Sequence, residues 1–71
     1  GEAETALRHA LALAPDLTEA HNDLGVLLAG EGRLEEAVAE IRKALELRPG
    51  YAKARLNLTL FLDAMGRAES P

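Results

Sequence analysis

Two histidines and twelve carboxylates are the side chains in this chain that could do acid–base or metal chemistry. A general base or a metal site needs such groups at short, specific spacings. His9 and His21 fall on different segments, and no Ser/His/Asp arrangement or His-Glu-x-x-His run occurs. The carboxylates are Glu2, Glu4, Asp16, Glu19, Asp23, Glu31, Glu35, Glu36, Glu40, Glu46, Asp63 and Glu69. A glycosidase-like pair would need a deep cleft between its members, which a few short helices do not build, so these acids read as a solvated face. The glycines flank helical segments and follow no strand, so a phosphate-binding loop is not supported. There is no cysteine, which excludes disulfides, thiol nucleophiles and thiolate metal sites. That absence fits a reducing compartment and favours the cytoplasm. The expectation is a chain with no catalytic residue, no metal and no cofactor, acting through its surface.

What positions that surface follows from size and composition. A chain of 71 residues makes one domain at most. It is 48% apolar, which argues against disorder. Tyr51 and Phe61 are its only aromatics, so the core must be built of Leu and Ala, both helix formers. The net charge of −4 and the lack of a basic stripe speak against a nucleic-acid partner. No apolar run reaches the roughly 20 residues of a membrane span, so no membrane insertion is expected. The chain lacks an initiator Met and starts in mid-pattern, as a piece of something longer would.

The pattern is a repeat. "RHALALAPDL" at residues 8–17 returns as "RKALELRPGY" at residues 42–51, 34 residues on. The same offset pairs Ala3 with Ala37, Leu24 with Leu58, Leu28 with Leu62, and Gly32-Arg33 with Gly66-Arg67. Self-similarity at such a period marks stacked supersecondary units. Leu34, Ala37, Val38, Ile41, Ala44 and Leu45 recur at helical spacing, and His21, Leu24, Gly25 and Leu28 make a second inner stripe. Pro15 and Pro49 close the helices before them. Gly30 or Gly32 supplies a left-handed helix end, and Asp16 with Glu19 offers a capping box. Four helices follow, over about 2–14, 18–30, 33–47 and 52–65, each antiparallel to its neighbour because the connections are short.

These residues resemble the tetratricopeptide repeat family, whose pattern is W-x2-L-G-x2-Y, then A-x3-F, then P. Residues 18–51 form a complete unit: His21 stands at the Trp position as a planar filler. Leu24-Gly25 and Leu28 follow, then Ala37 and Ile41, then Pro49. Residues 1–17 look like the second helix of a preceding unit, and residues 52–71 hold the first helix of a following one. Arg55, Thr59 and Pro71 depart from the pattern, so the last helix should be terminal and partly solvated. The resemblance implies an all-α fold of antiparallel helix-turn-helix repeats, stacked as a right-handed α-superhelix. It also implies a protein–protein interaction module, a scaffold or adaptor, whose first helices line a concave groove for a protein or peptide.

By phase, the groove residues are Glu19, Asn22, Asp23, Val26 and Ala29 in the complete unit. Lys53, Leu56, Asn57, Leu60 and Asp63 match them in the next. Asparagine donates and accepts at once, which suits a peptide backbone. Three acids against one lysine disfavour an acidic ligand, and the clamp that other family members use for acidic chain ends is not reproduced. The end faces, Ala3, Leu7 and Ala10 on one side and Leu58, Leu62 and Met65 on the other, would allow head-to-tail self-association as a homo-oligomer. Other readings are a regulatory or substrate-recruiting segment of a larger enzyme and a helix-turn-helix DNA-binding domain. The acidic balance and the repeat oppose the latter.

Overall fold

The computed structural model describes residues 1–69 and contains four helices: α1 (Glu2–Leu13), α2 (Thr18–Gly30), α3 (Leu34–Leu47) and α4 (Ala52–Glu69). Pro71, one of the departures from the repeat pattern, lies outside the described residues. The helices form a thin slab with Cα extents of 42 × 29 × 13 Å. Each helix packs on the next in sequence, and α2 also touches α4, whereas the α1 and α3 backbones do not approach each other.

The two proline loops are the same turn written twice. Leu17 N–H donates to the Ala14 carbonyl at 3.3 Å, and Tyr51 N–H donates to the Arg48 carbonyl at 3.0 Å. Pro15 and Pro49 each take the second position of such a turn, where the fixed φ of proline is already correct. The expected capping box is absent: Asp16 is occupied within the turn. Leu17 is the residue before α2, with no side-chain cap bond. The α2 end does follow the glycine reading. Gly32 has φ +79°, its N–H reaches the Ala29 carbonyl at 3.0 Å, and Arg33 N–H reaches the Leu28 carbonyl at 2.9 Å. These two bonds satisfy carbonyls that the helix end would otherwise leave open. The same Gly-Arg pair at Gly66-Arg67 stays helical, so α4 runs on to Glu69 where the sequence suggests an end near residue 65.

The core runs along the α2/α3 seam and into α4. Leu24, Leu28 and Ala37 form one buried cluster, with Leu7, Leu11 and Phe61 packed against it. Ile41, Ala44 and Ala54 form a second, with Leu45, Tyr51, Leu58 and Phe61 around it. Phe61 touches both clusters and joins them. Leu24, Leu28 and Ile41 are fully buried, each contributing on the order of 1.5–3 kcal/mol by leaving water.

Gly25 determines how closely α2 and α3 lie. A Cβ placed there would sit 2.7 Å from Ile41 Cδ1, 2.9 Å from Ile41 Cγ1 and 3.1 Å from the Ala37 carbonyl oxygen. Ile41 is itself fully buried, and the carbonyl is backbone. Gly25→Ala therefore trades a helix-propensity gain of up to about 1 kcal/mol against overpacking of about 1–3 kcal/mol. The variant should be less stable than the parent by roughly 1–2 kcal/mol in urea unfolding followed by circular dichroism. Ile41→Val, which removes Cδ1, should cost less in the Gly25→Ala background than in the parent. Simple additivity of the two changes would show that the steric argument is wrong.

Candidate functional site

Three polar constructions hold the helices in place, and two of them involve residues that the sequence pattern singles out. On the seam between α1, α2 and α3, His21 and Glu40 are buried, at 7% and 9% exposure. His21 Nε2 lies 2.7 Å from the Pro15 carbonyl oxygen, and Nδ1 lies 2.9 Å from Glu40 Oε1. A carbonyl oxygen only accepts, so Nε2 carries a hydrogen. Nδ1 faces a carboxyl group, so one proton must lie between ring and carboxyl. Glu40 Oε2 accepts from Lys43 Nζ at 3.3 Å. Every polar atom of the pair thus has a partner, and the pair has no nucleophile or open coordination position. His21 is more than a planar filler, because it pins the first proline turn to α3. Glu40 is not part of a solvated face, because its neighbours at helical spacing, Ala37, Ile41 and Ala44, take it under the seam. Among the described residues no three His, Asp or Glu side chains converge on a metal position. None of the helices there is long and apolar enough to cross a membrane.

On the outer side of α1 and α3, Arg33 gathers three acids. It donates to Glu4 at 2.9 Å, to Glu31 at 3.0 Å and to Glu36 at 2.7 Å. Arg8 bonds Glu4 at 2.9 Å and reaches Glu36 at 3.7 Å. These side chains bridge α1 and α3 where the two backbones do not meet. The hydrogen bonds from Arg8 and then Arg33 hold the Glu4 carboxyl below the ordinary carboxylate value.

The third construction lies between α2 and α4. Asn57 Nδ2 donates to Asn22 Oδ1 at 3.0 Å. Asn22 is buried, at 5% exposure, and Asn57 is half-buried. The two residues expected to offer themselves to a ligand therefore spend part of their capacity on each other. Their spacing of 35, one more than the repeat, puts them on facing edges of adjacent first helices. Among the described residues no buried side-chain nitrogen or oxygen lacks a partner. The Asn22 amide nitrogen has no acceptor among the described residues and is not wholly enclosed, so it stays able to donate, as Asn57 Oδ1 stays able to accept.

Around this amide pair stand apolar side chains with water on them: Val26 is 46% exposed, Leu56 61% and Leu60 52%. Glu19, Asp23, Lys53 and Asp63 are exposed, and Ala29 is half-buried. Asp63 pairs with Arg67 at 2.9 Å. The residues of the expected end faces are less uniform. Ala3 and Leu62 are exposed, while Leu7, Ala10, Leu58 and Met65 are half-buried. Leu7 and Leu58 already pack on the two core clusters. Thr59, at the register of Gly25, is exposed and bonds the Arg55 carbonyl at 3.2 Å.

Paired antiparallel helices joined by one recurring turn, with an exposed apolar strip on the first helices, define a helical-repeat protein. The chain belongs to the tetratricopeptide repeat family, whose profile matches residues 18–55. It is 42% identical over 53 residues to a peroxisomal targeting signal receptor of Eremothecium gossypii, covering 75% of this chain and 9% of that protein. It is 47% identical over 49 residues to a receptor of the same name from Candida albicans, covering 69% and 8%. It is 36% identical over 61 residues to the TPR repeat-containing thioredoxin TTL4 of Arabidopsis thaliana, covering 86% and 9%. The chain thus spans less than a tenth of the length of each of these three relatives. No solved structure gives a significant match.

Two outcomes test these constructions. Glu40→Gln can donate an amide hydrogen to an unprotonated Nδ1, so it should unfold close to the parent. Glu40→Leu leaves buried Nδ1 without a partner and should lose about 1–3 kcal/mol in urea unfolding; equal stability of the two variants would mean that the pair holds nothing. Glu4 titrates in the folded chain below the ordinary 4.5. Its ionised form therefore favours folding above that pH, and the contribution disappears as pH falls through the lowered value. Thermal melts from about pH 5 down to about pH 3 should show a steeper loss for the parent than for Glu4→Gln.

Proposed function

We propose that this chain is a non-enzymatic protein-interaction module that holds a peptide segment of its partner along α2 and α4. In this family arrangement these first helices line the concave side. The observation that carries the reading is the combination on that face: a donor and an acceptor left over from the Asn22–Asn57 bond, beside Val26, Leu56 and Leu60, all about half exposed. A peptide backbone presents alternating carbonyls and N–H groups, which such an amide pair matches, and its side chains can cover the aliphatic strip. Two of the relatives are receptors for a targeting signal by name, which supports recognition of a short segment. The Arabidopsis relative is named as a thioredoxin that contains these repeats. It favours a second reading, in which the module recruits a partner to an enzyme elsewhere in the same protein.

Peptides selected from a random display library should, when titrated into isotopically labelled protein, shift the amide resonances of Val26, Leu56, Asn57 and Leu60. Leu60→Glu, a change at an exposed position, should abolish that binding without changing the melting temperature. Shifts confined to α1 and α3, with Leu60→Glu binding normally, would move the site to the other side of the slab and overturn the proposal.

A further inference from the structure

We infer that a second copy of this chain docks head-to-tail on α4, its α1 lying there as α3 lies on α2. The chain carries both halves of such a seam. The buried faces of the α2/α3 seam are Leu24, Gly25 and Leu28 on one helix and Ala37, Ile41 and Ala44 on the other. At +34 residues from the first set, α4 has Leu58, Thr59 and Leu62, and at −34 from the second, α1 has Ala3, Leu7 and Ala10. None of these counterparts is buried. Leu62 is 42% exposed, Ala3 and Thr59 are exposed, and Leu7, Ala10 and Leu58 are half-buried. In a repeat stack such a face is covered by the complementary face of the neighbouring unit. Here one chain supplies both faces, so a second copy continues the established α2/α3 interface through a heterologous contact. Side-chain size and charge agree with this seating. Arg55, in the place of His21, is exposed and takes part in none of the ion pairs of the described residues. Ala6, in the place of Glu40, is exposed and leaves room for that longer side chain. The acidic first turn of α1, with Glu2 and Glu4, comes beside Arg67 in the last turn of α4. The α2/α3 unit has Arg33 on Glu36 at 2.7 Å at that end. Arg67 pairs with Asp63 but stays 80% exposed, so it can reach a second carboxylate. Thr59 keeps the copies farther apart than α2 and α3, whose approach at Gly25 leaves 2.7 Å for a Cβ. The junction is therefore weaker than the seam inside the chain.

Light scattering from micromolar to millimolar chain tests this. The mass of the parent should climb past the dimer, because a head-to-tail contact leaves a free face at each step. Leu62→Glu blocks the α4 face and Ala3→Glu the α1 face, both at exposed positions. Each variant alone should stay monomeric. Their mixture should form heterodimers and nothing larger, since a single intact junction remains, and that rescue shows that both variants are folded. Ala6→Glu sets a carboxylate against Arg55 as Glu40 stands against His21, and it should tighten association on the order of tenfold. Leu60→Glu, on the exposed strip, should leave the mass curve unchanged, so this inference and the peptide-binding reading fail separately. A parent that stays monomeric at millimolar concentration refutes the inference. Association of either blocked variant alone means an isologous contact and refutes it too. A mixture that stays monomeric, no tightening by Ala6→Glu, or loss of association in Leu60→Glu has the same consequence.

Discussion

The approach of α2 to α3 at Gly25 is the constraint from which the rest of the structure follows. A missing Cβ lets Ile41 and the Ala37 carbonyl lie against the α2 backbone. That closeness brings Leu24 and Leu28 fully out of water. It also brings His21 within reach of Glu40 across the seam. With α2 held against α3, α4 can close over Ile41 and Ala44 through Ala54 and Phe61. The contact of α4 with α2, and with it the Asn22–Asn57 bond, follows in turn. A chain with so little surface to bury depends on this one short distance more than a larger domain would.

Much of this was legible in the sequence, and for a simple reason. Period 34 and the helical spacing inside each unit are both one-dimensional signals. They placed the helices to within a residue except at one end. The stripe His21, Leu24, Gly25 and Leu28 is buried as the spacing required; of the α3 stripe Ala37, Val38, Ile41 and Ala44 are buried, while Leu34 and Leu45 are half-buried. Contacts between units are a different matter. Glu40 sits in a helix rich in glutamates, and nothing local marks it as the one turned under the seam toward a histidine 19 residues away. Its position next to Ile41, on the margin of the apolar stripe, was the available signal. Asn22 and Asn57 drew notice for their chemistry. That they satisfy each other could only be seen by asking which edges of neighbouring first helices face, an offset of one beyond the repeat.

Gly66-Arg67 shows the limit of local signals in another way. The same pair at Gly32-Arg33 ends a helix, with glycine left-handed, but α4 continues through it. At Gly32 the turn is followed by α3, which folds back and buries Ala37 and Ile41 against α2. Permission to turn is written in the dipeptide; the decision to turn comes from what the turned chain gains by packing. The exposed strip on α2 and α4 shows the same division, since its residue types can be read in sequence while their mutual bonds depend on how the helices are stacked.

The two links between successive units sit on opposite sides of the slab and differ in kind. On one side α2 and α4 are tied by a neutral amide bond at the exposed strip, with Phe61 packed beneath it on the cluster of Leu24 and Leu28. On the other, Arg33, Arg8 and their glutamates link α1 to α3 across a gap that the backbones leave open. Such a stack behaves as a leaf spring with unlike faces. Bending that spreads the strip loads a short-range bond, which yields abruptly. Bending the other way stretches long-range Coulomb contacts, which yield gradually and soften as electrolyte is added. Electrolyte therefore weakens one of the two links and leaves the other as it was.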